Sequence, residues 1–156
     1  MTIDIQPLTA EVLARHVTEF LEIDEKTIGE RWGKDQFRLD MPGKWDYSRV
    51  ALDDHGKALG FAVASLKPQG IHIHRIAVSE SCQGQGIGKH LLGAVAAVAH
   101  GHGVTAMTLK VAKQNVHAVR FYLGLGFVES ERTATNLLLT VPVLSLLMEP
   151  SGRFVS

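Results

Sequence analysis

Between residues 83 and 88 glycine recurs at alternate positions, Gln83-Gly84-Gln85-Gly86-Ile87-Gly88, and this constrains the fold more than any other stretch. Ahead of it, Ile71 to Val78 alternates Ile, His, Ile, His and finishes apolar, the pattern of a strand. Behind it, Ile87, Leu91, Val95, Val98 and Ala99 fall on one helical stripe that ends at Gly101 and Gly103. A strand thus passes to a helix through residues without a Cβ. The amides of a first helical turn and the positive end of its dipole favour phosphate, so this segment reads as a pyrophosphate cradle, with a simple tight turn as the plain alternative. A Walker loop would need Ser or Thr after Lys89, where His90 stands. A dinucleotide loop would need Gly-x-Gly-x-x-Gly, which Gly84, Gly86 and Gly88 miss by one residue.

The flanking chain supplies the remaining elements. Thr9 and Glu11 start a helix that carries Leu13, Val17, Phe20 and Leu21 on one face to about Ile23, and a second helix is expected within Thr27 to Phe37. Tyr47 to Leu52 and Ala58 to Leu66, joined at Asp53-Asp54-His55-Gly56, predict an antiparallel hairpin. Met107, Leu109 and Val111 alternate as a strand, Asn115 to Leu123 predicts a short helix, and Phe127 to Arg132 and Val143 to Glu149 predict the last strands. Pro142 belongs at a strand end or a bulge, because it cannot donate to a ladder.

Composition removes several function classes. Sixteen Lys+Arg balance sixteen Asp+Glu, so no overall field draws in nucleic acid or anionic lipid, and no basic run with interleaved aromatics supplies a local one. The single cysteine, Cys82, excludes an intramolecular disulfide and a cysteine-rich zinc site, which fits a reducing, cytoplasmic setting. Met1 to Pro7 does not resemble a secretory signal, and the apolar stretch Leu137 to Met148 is too short and too interrupted to span a membrane. No repeat or linker divides the 156 residues, so a single domain over 1–156 is expected.

The glycine segment, following the apolar triplet Ile76-Ala77-Val78, resembles the acetyl-coenzyme A loop of the GNAT N-acetyltransferase superfamily. Asn115, Ala118, Phe121, Tyr122, Gly126 and Phe127 match the second signature of that superfamily, in the right order and at the right separation. The resemblance implies an α+β fold: a mixed, mostly antiparallel sheet of about six or seven strands flanked by about four helices. It implies acetyl-coenzyme A as co-substrate and direct attack of a primary amine on the thioester. On this reading the backbone of Ile76, Ala77 and Val78 pairs with the pantetheine arm, the amides from Gln83 through Gly84, Gln85, Gly86, Ile87 and Gly88 to Lys89 take the pyrophosphate, and Asn115 fixes the arm. Gln83 stands where many members carry Arg, which removes one cation from the phosphates.

Two proton transfers remain to be assigned. Tyr122 matches the family's general acid, and a phenol with an ordinary pKa of about 10 can protonate a departing thiolate; a core aromatic is the alternative. An alkylammonium near pKa 10.4 must lose a proton, and His72 occupies the position where relatives often carry Glu. Imidazole there, with His74 two residues on along the same face, is an acceptor; two ordinary strand histidines with water conducting the proton form the other reading. Neither has Cys or carboxylate neighbours at ligand spacing, so no metal is expected. His100 and His102 suit the helix end and solvent. The acidic residues Glu22, Asp24, Glu25 and Glu30 either attract a cationic amine or form a solvated face. The acceptor is a small-molecule or peptide amine of unassigned identity, and a homodimer stays open. The competing function is an acyl-coenzyme A sensor with little catalysis, suggested by Gln83 and by His72 in place of Glu.

Overall fold

The computed structural model describes residues 1–26 and 31–155. Eight strands form one sheet: β1 (Thr2–Pro7), β2 (Arg49–Leu52), β3 (Ala58–Lys67), β4 (Gly70–Val78), β5 (Ala106–Ala112), β6 (Val128–Arg132), β7 (Asn136–Pro142) and β8 (Gly152–Val155). Their order is β6-β7-β5-β4-β3-β2-β1-β8. Neighbours run antiparallel except β4 and β5, which are parallel. The helices are α1 (Ala10–Asp24), α2 (Lys34–Arg38), α3 (Lys44–Tyr47), α4 (Ile87–Gly101) and α5 (Val116–Gly124). Helix α4 is the crossover that a parallel β4–β5 pair requires. The α+β architecture is the expected one, with one strand and one helix beyond the numbers the resemblance implied.

Alternation along β3 divides the core in two. Ala62 and Ala64 face α4, where Leu91, Leu92 and Val95 pack with Ile71, Ile73 and Met107. Phe61 and Val63 face α1 and α2, where they meet Leu13, Phe20 and Phe37. The rings of Phe20 and Phe61 stack at 4.5 Å, and Phe37 meets Phe61 edge-on at 5.3 Å. All three are fully buried, so truncating any of them to Ala would cost about 3–5 kcal/mol. Thr9 caps α1 as expected, its hydroxyl oxygen accepting the Val12 amide at 3.2 Å.

Several expected elements are corrected. Val143 to Glu149 is not a strand: Val143–Ser145 is a single 3₁₀ turn, and the strand lies before it at Asn136–Pro142. Leu139 and Val141 are the residues that alternate into the core, whereas Leu144 is 68% exposed. Pro142 ends that strand opposite Ala106, where no ladder donor is needed. The hairpin's first strand starts at Arg49, because Tyr47 completes α3. Part of the helix expected over Thr27 to Phe37 lies outside the described residues, and within them α2 occupies Lys34–Arg38. β1 and β8, not foreseen at all, pair with each other from Thr2↔Val155 to Ile5↔Gly152.

Candidate active site

At the end of β4 the chain makes a short 3₁₀ turn, Glu80–Cys82, and enters the glycine segment. Gly84 and Gly86 both adopt φ of +82°, a left-handed conformation that side chains rarely accept. A Cβ on Gly84 would meet nothing within 4 Å, and one on Gly86 only the His90 ring at 3.7 Å or beyond. Bare backbone therefore borders open space. The first bond of α4 runs from the His90 amide to the Gly86 carbonyl at 3.0 Å, so the amides of Ile87, Gly88 and Lys89 have no intrahelical acceptor. Gly88 differs from the other two. Its Cβ would come within 3.1 Å of Phe121 Cζ, so its missing side chain brings α4 against α5. Gln83 ties the turn back to the strand, its Nε2 donating to the Val78 carbonyl at 3.3 Å. Lys89 is exposed, and Cys82 is buried in the turn.

The parallel pairing of β4 with β5 covers only Ile71↔Met107, His72↔Thr108 and Ile73↔Leu109, although β4 runs on to Val78 and β5 to Ala112. The two strands diverge. A register shift opposite Val63 and Ala64 leaves His74 as an extra residue on β4, and such a bulge bends its strand. Along the divergence the backbone edge of Ile76, Ala77 and Val78 has no β5 partner, while its other edge is paired to Ala62, Phe61 and Gly60. The result is a slot between the two strands that opens toward the glycine turn. The groove fits an extended, anionic cofactor arm: a free strand edge for amides, then bare glycine backbone and helix amides for phosphate.

The bulge also sets the chemistry on the α1 side of the slot. His72, paired with Ser65, and His74 share that face, their rings 4.8 Å apart. His72 Nδ1 pairs with Thr108 Oγ1 at 2.8 Å, and His74 Nε2 with Ser65 Oγ at 2.6 Å. Burial lowers the pKa of both, pushing His74 down to about 4. For His72 the charges of Lys67 and Lys110 add to it, and for His74 those of His72, Lys67 and Lys44. Both imidazoles are neutral at pH 7. The tautomer of His72 with Nδ1–H donating to Thr108 leaves a lone pair on Nε2. Arg75, turned onto this face by the bulge, grips Asp24 at the end of α1 through two bonds of 2.7 and 2.9 Å, and Asp24 also accepts the Trp32 amide at 2.8 Å. Asp24 is thus committed to a cation of the chain itself. Glu22 and Glu25 are solvated, and Glu30 lies outside the described residues.

Tyr122 reaches the core from the opposite face. α5 packs on the α4 side, where Tyr122 is 8% exposed beside Phe121 and Phe127. Burial pushes its phenol up to about 12, and among the described residues no side chain pairs with the hydroxyl. Asn115 caps α5, its Oδ1 accepting the Ala118 amide at 3.2 Å. His102 bonds the Val98 carbonyl at the end of α4, as expected of a histidine there. Among the described residues no group of His, Cys, Asp or Glu is arranged to hold a metal, and no helix is long and apolar enough to cross a membrane. Sequence reasoning missed Ser65, Lys67, Thr108 and Lys110. The signal was available for the last two, because Thr108 and Lys110 alternate with the core residues Met107, Leu109 and Val111.

A sheet opened beside its one parallel pair, with a glycine turn and a helix N-terminus closing the opening, defines an acetyltransferase architecture. The profile of the acetyltransferase (GNAT) family matches residues 17–127, and the chain belongs to that family, whose members use acetyl-coenzyme A. Among solved structures the chain is similar to the ribosomal-protein-S18-alanine N-acetyltransferase from Escherichia coli, with 22% identity over 94% of this chain and 95% of that one and a TM-score of 0.73. The NatC complex bound to Gag peptide and CoA contains a chain that matches at 18% identity over 91% of this chain and 99% of its own, with a TM-score of 0.80. The PaiA N-acetyltransferase from Thermoplasma acidophilum, in complex with coenzyme A, matches at 19% identity over 91% and 99%, with a TM-score of 0.73. At these identities the likeness is one of fold. No curated protein matches the chain.

Proposed function

We propose that the chain is an acetyl-coenzyme A-dependent N-acetyltransferase, one domain over 1–156, that acetylates a primary amine by direct attack. The observation that supports this is the parting of β4 from β5 beside the glycine turn, with Tyr122 in the core on the α4 side of the sheet and His72 on the α1 side. Bound acetyl-coenzyme A supplies an acyl carbon activated as a thioester. The free edge of Ile76, Ala77 and Val78 would hold the pantetheine amides, with Asn115 steadying the arm from the start of α5. The turn from Gln83 through Gly84, Gln85 and Gly86 to Ile87, Gly88 and Lys89 would hold the pyrophosphate.

When an amine displaces the thiol of the bound thioester, the Tyr122 hydroxyl would donate its proton to the departing sulfur. A phenol held near 12 stays protonated at any working pH, which suits a donor and rules out a standing base. The surplus proton of the nitrogen passes to Nε2 of His72, which burial keeps neutral and able to accept. Solvent then reprotonates Tyr122 and deprotonates His72. Calorimetry with coenzyme A, followed by a screen of amines for thiol release from acetyl-coenzyme A, tests this reading. Micromolar binding and amine-dependent thiol release are expected. Absence of coenzyme A binding would overturn the reading, and binding without release for any amine would favour the sensor.

A further inference from the structure

Resting on the acetyltransferase reading, we propose that the acceptor is an amine that also carries an anionic group, a carboxylate or a phosphate, held by Lys67 and Lys110 on either side of His72. The face of the sheet around His72 is built by strand register. Ser65 and Lys67 on β3, His72 and His74 on β4, and Thr108 and Lys110 on β5 all point to the α1 side, because each alternates with a residue of the α4-side core. Lys67 pairs with Gly70 at one end of the histidine row. Lys110 follows Leu109, the last residue of β5 paired to β4, so it stands where the slot begins to open. Both lysines are exposed.

The nearby acids leave Lys67 and Lys110 uncompensated: Asp40 acts on the buried Lys44. Asp24 is buried against Arg75. Glu131 on β6 is separated from Lys110 by β7, with Leu138 paired to both. Among the described residues the charges that act on the two imidazoles are cations, Lys67, Lys110 and Lys44, together with the histidines' own coupling. A bare alkylammonium meets like charge there, whereas an amine bearing its own anion brings the countercharge and leaves its nitrogen beside a neutral imidazole.

The test compares acceptors that share the amine-bearing chain but differ in charge: 4-aminobutyrate with butylamine, O-phosphoethanolamine with ethanolamine, and glycylglycine with glycylglycinamide. With kcat/KM corrected for the neutral-amine fraction, the anionic member of at least one pair should exceed its partner by about tenfold at low salt, a preference that shrinks as salt screens it. In the double variant Lys67→Gln/Lys110→Gln that ratio should fall toward one. The carboxylate and phosphate arms show which anion fits. Equal rates within every pair, or a preference that survives the double substitution, would overturn the proposal. Binding to the coenzyme A complex, read from the His72 and His74 imidazole resonances, covers acceptors too slow to turn over, and no selective shift by any anionic member counts against the proposal as well. Failure of the acetyltransferase reading would show separately, as loss of coenzyme A binding or of thiol release with every amine.

Discussion

Tyr122 and His72 lie on opposite faces of the sheet, and on the proposed mechanism each would handle one of the two proton transfers. Removing only the phenolic proton with Tyr122→Phe keeps the ring that packs on Phe127, so kcat should fall by about 10² to 10⁴ while coenzyme A affinity moves less than about twofold. Single-turnover kinetics check this, and an unchanged chemical step would remove Tyr122 from the mechanism. For the histidines the sign of the pH effect follows from burial. A histidine whose folded pKa lies below its unfolded value of 6.5 takes up fewer protons when folded. Its contribution to stability is therefore full above 6.5 and is lost as pH falls toward the folded value, about 4 for His74. Urea midpoints should decline between those limits, and His74→Asn should flatten the decline. In activity, the limb of kcat/KM assigned to His72 should lie below 6.5 rather than on the ordinary histidine value. With a weakly basic acceptor, His72→Ala should abolish that limb and His74→Ala should retain it.

Three glycines at alternate positions turn out to do two different things. Gly86→Val puts a branched side chain at φ +82° and into the space the turn leaves open, so coenzyme A affinity should drop by more than about tenfold in calorimetry, with a native circular dichroism spectrum. Gly88→Ala should act through the α4–α5 contact with Phe121 instead, lowering thermal stability more than affinity. The sequence marked this element well because a strand pattern, a glycine run and a helical stripe follow one another without ambiguity. It failed over Leu137 to Met148, an apolar stretch broken only at Thr140, Pro142 and Ser145. Only pairing with β5 decides that Leu139 and Val141 turn inward and that the ladder stops at Pro142. β1 did carry a signal, Ile3 and Ile5 alternating with polar residues into the core, whereas β8 is short and nearly all exposed, so what makes it a strand is its pairing with β1. The bulge at His74 has no signature of its own, and with it went the divergence of β4 from β5.

At the scale of the molecule, that bulge links α1 to the slot. By turning Arg75 onto the α1 face it lets the guanidinium grip Asp24, which is 1% exposed, and so fastens the end of α1 beside the histidine row. The acidic residues of α1 suggested attraction of a cationic substrate, but one of them is spent on the chain's own architecture. Which carboxylate is committed depends on a contact 51 residues apart and could not be read from charge spacing. Asp24→Asn keeps the size of the side chain and its amide contact but strips the buried charge that faces the Arg75 guanidinium. Global stability should fall by about 3 kcal/mol in urea titrations. The functional consequence should be one-sided. On the proposed mechanism pantetheine and pyrophosphate would take the free edge of β4 and the start of α4, and the acceptor would approach on the α1 face. Asp24→Asn should therefore raise acceptor KM several-fold with coenzyme A affinity nearly unchanged, measured at a temperature well below the variant's own unfolding. Replacing both partners, Asp24→Leu with Arg75→Met, should recover part of the stability, since the Trp32 amide still loses its acceptor, but not the acceptor KM if the ion pair sets the position of α1. Equal losses of acceptor and coenzyme A binding in the single variant would mean that the pair supports the whole sheet rather than the acceptor wall.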